Sequence, residues 1–306
     1  MTTSRIVWRL ALAVAVLLGA GLGFIYWYDK TGQRPDPGFS TEVAHPAYTP
    51  ESAPRIAFDV AHDNWHTPAG RYRPLADLLR HDGYRVAEQA SPFSAALLEP
   101  VRVLVVANAM GPEGHEGRPA FSEEEESALV DWVRRGGALL LIADHVPFGG
   151  AAERLAGRFG VTMYLAFARD DKNHSGWDNE RLLFSRANRL LTVCPITEGR
   201  TPEERVGTVV TFTGQSLSVP AGATPILRLS DDAYDWESRS VRKPARGHAQ
   251  GIAMTFGEGR LVFLGEAGLL SAQVDPVGFK MGMNAAGNDD RQFALNVFHW
   301  LSGALR

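Results

Sequence analysis

The chain has almost no cysteine. Cys194 stands alone among 306 residues, so neither an internal disulfide nor a cysteine-rich zinc module can form. No charge of one sign dominates: 31 Lys and Arg against 35 Asp and Glu leave a formal net charge of −4. Without a basic excess, the electrostatic footing for nucleic-acid binding is missing. Common signatures of nucleophiles and phosphate cradles are absent too: there is no Gly-x-Ser-x-Gly elbow, no P-loop and no Rossmann fingerprint. Ser216 in TGQSLS has no elbow context, and Gly257-Glu258-Gly259 reads as a hairpin turn.

Long apolar runs are scarce, with one exception at the amino end. Residues 10–28 carry no charge, which is enough to cross a bilayer as a helix. Arg5 and Arg9 precede the run, and Tyr26, Trp27 and Tyr28 form an aromatic belt at its far end. That polarity predicts a transmembrane segment over residues 6–28, amino end inside. No Ala-x-Ala site follows closely, which favours an uncleaved anchor over a cleaved signal peptide. Either way the remainder is expected outside the cytoplasm, in the periplasm of a Gram-negative cell. Residues 29–54 are rich in Pro, Gly, Thr and Ser and read as an extended linker. A single domain is expected over residues 55–306.

Within that domain the reading turns on residues 132–150, WVRRGGALLLIADHVPFGG. It runs from a helix end through a Gly-Gly stop into a wholly apolar strand, residues 138–143, as a central parallel strand requires. Further strands are expected at 55–60, 84–87, 101–107 and 224–229, and a hairpin at 250–264. Helices are expected at 72–82, 122–135, 150–159 and 289–301, the second opened by a Ser122/Glu125 capping box. The acidic run 123–126 then reads as a first helical turn rather than a metal site. This alternation predicts an α/β fold, a mostly parallel sheet flanked by helices. Residues 162–219 break the rhythm and read as an irregular, lid-like excursion.

Four polar clusters lie where such a sheet gathers ligands, beyond its strands' carboxyl ends. Asp59, His62, Asn64 and His66 follow the first strand; a divalent metal such as zinc would suit this mixture, as would a set of turn and cap hydrogen bonds. Asp144 and His145 follow the central strand, as an acid–base pair, as ligands or as a cap for the next helix. His174 sits with Asp170, Asp171 and Asn173 in the excursion. Glu266 comes with Ser271 and Gln273 after the hairpin, followed by Asn284 and Asn288.

The order of four stretches resembles the class I glutamine amidotransferase-like superfold, which is flavodoxin-like, and within it an uncharacterised, membrane-anchored bacterial branch. They are LVDWVRRGGALLLIAD, CPITEG, FGEGRLVFLGEAGLLS and NVFHWLSG. The resemblance implies a Cys nucleophile on a strand-to-helix elbow. Here Asn108 or Met110 follows the strand at 101–107, and Cys194 lies in the excursion, so amidotransferase chemistry is expected to be absent. The expected function is a metal- or His-assisted hydrolase of a polar envelope substrate, with Asp59, His62, Asn64, His66, Asp144, His174, Asn284 and Asn288 holding metal or ligand and His145 or Glu266 as base. The alternative is a non-catalytic module that binds a ligand or an envelope protein partner.

Overall fold

The computed structural model describes residues 32–111, 118–176, 178–238 and 241–305. The expected anchor, residues 6–28, lies outside them. Among the described residues no helix is long and apolar enough to cross a membrane.

One seven-stranded sheet carries the domain. Its strands are β1 (Arg55–Asp59), β2 (Arg85–Gln89), β3 (Val103–Ala107), β4 (Ala138–Ile142), β5 (Thr224–Arg228), β6 (Ala249–Phe256) and β7 (Gly259–Leu264). The spatial order is β2-β1-β3-β4-β7-β6-β5. Neighbours from β2 to β7 are parallel, and β6 runs antiparallel to both β7 and β5. The antiparallel pair follows from the short turn at Gly257-Glu258, since adjacent strands joined so tightly cannot be parallel. Gly257 has φ of 60°, and a Cβ there would meet the Arg134 carbonyl at 2.5 Å.

Side chains alternate across the sheet, and each face has its own cover. Ile56, Val105, Leu140 and Val262 pack with Leu75 and Leu79 of helix α1 (Arg73–His81) and, later in the chain, with Phe293 and Phe298 of the closing helix, Asp290–Ser302. On the other face Leu104, Leu139, Leu141 and Phe263 pack with α2 (Glu123–Arg134) and α3 (Phe148–Arg158). Burial on both sides is why β3 and β4 are continuous apolar runs. Helix α2 opens with the expected capping box: the Glu125 amide donates to Ser122 Oγ at 3.2 Å, and the Ser122 amide donates to Glu125 Oε2 at 3.0 Å.

The excursion is more ordered than its polar sequence suggests. Leu183–Ser185 pairs antiparallel with Thr208–Val210, and Phe167–Arg169 joins Tyr234–Ser238 and Val241–Pro244 in a small sheet. Its apolar residues, Phe184, Leu191, Ile196 and Val209 among them, are spent on the α1 face of the core. The expectation of a spacer at 29–54 needs correction for residues 32–54. Arg34–Pro35 pairs with Ala272–Val274, the Ala47 amide donates to Asp82 Oδ1 at 2.8 Å, and Tyr48 Oη donates to Ser302 Oγ at 2.9 Å. Phe39, Val43 and Tyr48 pack against the core. These apolar side chains seat the segment on the domain instead of leaving it solvated.

Candidate functional site

Register builds the site. Ala107, Ile142 and Leu264 lie side by side at the ends of β3, β4 and β7. The residues just beyond them, Asn108, Asp144 and Glu266, therefore reach the same edge of the sheet. The order reverses direction around β1, which puts this edge at the kind of crevice where open α/β sheets bind ligands.

Asn108 ties the edge together. Its Oδ1 accepts from the Asp144 amide at 2.9 Å, and its Nδ2 donates to Asp144 Oδ2 at 2.8 Å. A backbone N–H can only donate, so this contact fixes which end of the amide faces which way. Nδ2 then also faces His66 Nδ1 at 3.2 Å. That nitrogen must accept, leaving the His66 proton on Nε2. Burial, with the Arg71 charge added, pushes the His66 pKa down to about 3. The ring is neutral, and it lies 4.8 Å from the Tyr72 ring.

Asp144 Oδ1 accepts from the Ala267 amide at 2.6 Å, joining β4 to the turn after β7. Burial raises the Asp144 pKa to about 6, against the pull of Asn108, His145 and the Ala267 amide. Glu266 accepts from the amides of Gly268 and Leu269, the latter at 2.8 Å. Burial and then the Asp144 charge hold its carboxyl well above the ordinary range. Tyr72 Oη donates to the Ala267 carbonyl at 2.9 Å, and burial with the two carboxyls keeps its pKa high. On the other side, Gln215 Nε2 donates to the carbonyls of Ala143 and Asp144, both at 2.9 Å.

His66, Asp144 and Glu266 border a cavity of about 340 Å³, also lined by Trp65, Arg71, His145 and Gln273. His145 Nδ1 faces the Val146 carbonyl at 2.6 Å and must donate to it, so in the neutral ring Nε2 is an acceptor. The ring stacks on Phe167 with centroids 4.3 Å apart. Arg71 lies over the Trp65 ring at 4.4 Å.

Of the expected residues, His66, Asp144, His145 and Glu266 line this cavity, and the others do not. His62 is corrected most sharply. Its Nδ1 meets Asp59 Oδ1 at 2.9 Å and its Nε2 meets Glu125 Oε1 at 2.9 Å, leaving no nitrogen for a metal. Phe93 and Phe121 pack against its ring. Burial opposes its charging, but Asp59 and Glu125 outweigh it and raise the pKa. Asn64 makes turn contacts, accepting from the His62 amide at 3.2 Å. His174 borders a separate surface recess with Asp171 and Asp178. Asn288 holds the turn before the last helix, accepting from the Asp290 amide at 3.1 Å. Asn284 donates to Asp36 Oδ2 at 2.8 Å and to the Gln273 carbonyl at 3.0 Å, so it supports the cavity wall from behind. Among the described residues no three His, Cys, Asp or Glu side chains converge as a metal-holding group. Sequence reading passed over Arg71 and Trp65 in the β1–α1 loop, and used Asn108 only to mark a missing cysteine. The one available signal for Asn108 was its place directly after β3.

No family model matches the chain, and no curated protein matches it. Among solved structures, the mmIFT52 N-terminal domain is 16% identical, covering 81% of this chain and 97% of that one, with a TM-score of 0.59. That likeness is one of fold. A ThuA-like protein from Bacteroides uniformis ATCC 8492 is 11% identical, covering 87% and 95%, with a TM-score of 0.43. Another from Parabacteroides merdae ATCC 43184 is 11% identical, covering 83% and 91%, with a TM-score of 0.45.

Proposed function

We propose that this chain is a membrane-anchored, extracytoplasmic domain of the class I glutamine amidotransferase-like superfold that binds a small polar ligand at the carboxyl edge of its sheet. The superfold is supported by the β2-β1-β3-β4 order and by the stretches quoted above. The anchor is supported by the uncharged run at 10–28 with arginines before it and aromatics at its end. The observation that carries binding is the division of labour in the cavity. Each oxygen of Asp144 and Glu266 already accepts a hydrogen bond from Asn108 or a backbone amide. His145 Nε2 and Arg71 are left facing the cavity without protein partners. Fixed walls with a few unengaged polar tips are how small-molecule sites are built.

The test is a thermal-shift screen of the detergent-solubilised full chain against a broad panel of small polar compounds. A saturable rise in Tm is expected for at least one of them, weakened about tenfold or more by His145→Ala, the usual effect of losing a hydrogen-bond partner. A panel without a single saturable shift sinks the reading.

A second reading, hydrolysis, has its own support. Asp144, raised to about 6, lies beside Glu266, whose carboxyl burial and the Asp144 charge push well above its ordinary range, and such a pair is what acid–base catalysis uses. Turnover of chromogenic ester, amide or glycoside substrates, lost in Asp144→Asn, would favour it over simple binding.

A further inference from the structure

Arg71 is half-buried at the cavity wall, yet among the described residues it has no ion pair and no hydrogen bond. Its one contact of note is the Trp65 ring, 4.4 Å from the guanidinium carbon. Stacking fixes the plane of the guanidinium and leaves its N–H edge unspent. Arg154 and Arg186, also partly buried, meet Glu126 and Glu198 at 2.7 Å each, whereas among the described residues Arg55 and Arg181 share the lack of a side-chain hydrogen-bond partner but do not line this cavity.

A second orphan borders the same cavity. Gln273 is 1% exposed, and its Oε1 is buried with no hydrogen-bond partner, while its Nε2 donates to Ser271 Oγ at 2.8 Å. A buried carbonyl left bare costs free energy and calls for a donor. Asn284 holds Gln273 in place from behind through its main-chain carbonyl.

We infer that the ligand is a small hydroxylated monocarboxylate, its carboxylate taken by Arg71 and a hydroxyl donating to Gln273 Oε1. The inference rests on the ligand-binding reading above and deepens it. A planar guanidinium edge matches a carboxylate two bonds to two. Among the described residues Arg71 is the one Lys or Arg lining the cavity, and the carboxyls of Asp144 and Glu266 line it too, so the site suits a single carboxylate better than a phosphate dianion. His66 Nε2–H adds a donor, and His145 Nε2 an acceptor, so a hydroxyl that both gives and takes fits between such groups. A volume of about 340 Å³ sits at the small end of ligand pockets, the scale of a sugar acid.

The experiment is calorimetric titration of the full chain in detergent with glucuronate, its uncharged amide glucuronamide, and glucose. Glucuronate is expected to bind about tenfold or more tightly than either neutral compound, the worth of a charge-assisted pair. Arg71→Gln should erase that preference with only a small fall in Tm, because the Trp65 stack is the one contact of note that Arg71 makes with the rest of the domain, and Arg71→Lys should restore part of it. Equal affinity for the acid and its amide, or a preference that survives Arg71→Gln, overturns the inference. Failure of all three compounds to bind also overturns it. If other polar compounds still give the shift sensitive to His145→Ala, the binding reading stands alone; if none does, both fall.

Discussion

Asn108 grips Asp144 from both ends of one amide: Oδ1 takes the Asp144 backbone N–H at 2.9 Å while Nδ2 reaches its carboxylate at 2.8 Å. The clamp spans β3 and β4 and sets which nitrogen of His66 beside it carries the proton. Asn108 also holds φ of 50°, a left-handed backbone that Asn tolerates better than most residues. Asn108→Ala is expected to cost about 2–4 kcal/mol, by stranding buried polar groups and by straining the backbone. Asn108→Gly should recover about 1 kcal/mol of that, since glycine accepts the dihedral. Urea denaturation checks both; an unchanged midpoint for Asn108→Ala would rule out the clamp.

His66 should resist protonation. Its folded pKa of about 3 lies below the ordinary 6.5, so the unfolded chain binds more protons between those values. The stability its neutral ring contributes is complete above pH 6.5 and lost as pH falls toward 3, at up to about 1.4 kcal/mol per pH unit. Asp144 acts in the opposite sense: raised to about 6 from 3.8, its contribution is lost as pH rises through that window. His66→Gln should therefore lose less stability than the parent between pH 7 and pH 5. Denaturant midpoints at the two pH values measure it, and an unaltered difference would refute the buried neutral ring.

Glu266 is expected to remain a neutral acid at pH 7, held so by burial and by Asp144. Infrared spectra should show a protonated carboxyl band that vanishes in Glu266→Gln. That variant should cost about 1–3 kcal/mol, because its NH2 group cannot accept from one of the two amides that Glu266 serves. Absence of the band at neutral pH would contradict the assignment.

His62 should behave as a structural cation. Its pKa is raised, so the stability it lends is complete below the ordinary 6.5 and lost as pH rises through the folded value. Glu125 is held low by the amides of Ser122 and Phe93 and by His62, in excess of the opposing effect of burial, so its share is lost as pH falls through its folded value. Glu125→Gln can keep the cap through its amide oxygen but removes the charge facing His62 and one acceptor position, and should cost about 2 kcal/mol while lowering the His62 pKa. Proton NMR of the His62 ring follows the second effect.

Residues 10–28 should keep the chain in the membrane fraction after carbonate extraction. A chain starting at Gln33 should appear in the soluble fraction. Release of the full chain by carbonate would remove the anchor.

The sequence alone went a long way toward the sheet. Strands β3 and β4 are apolar on every residue because both faces are covered, and no turn or loop mimics that pattern. Ser122 and Glu125 announced the start of α2 because a cap is a local device, complete within four residues. The site divided along the same line. Asp144 and Glu266 could be placed at the sheet's edge from their position after a strand. The fate of His62 and His66 could not: four residues apart in one turn, one enters a carboxylate cage built by α2, the other the cavity. Which way each ring turns depends on partners 63 and 42 residues away, Glu125 and Asn108, and on burial that only packing creates. Unpaired Arg71 is likewise invisible in a sequence, because lacking a partner is a property of the folded surroundings and not of the residue.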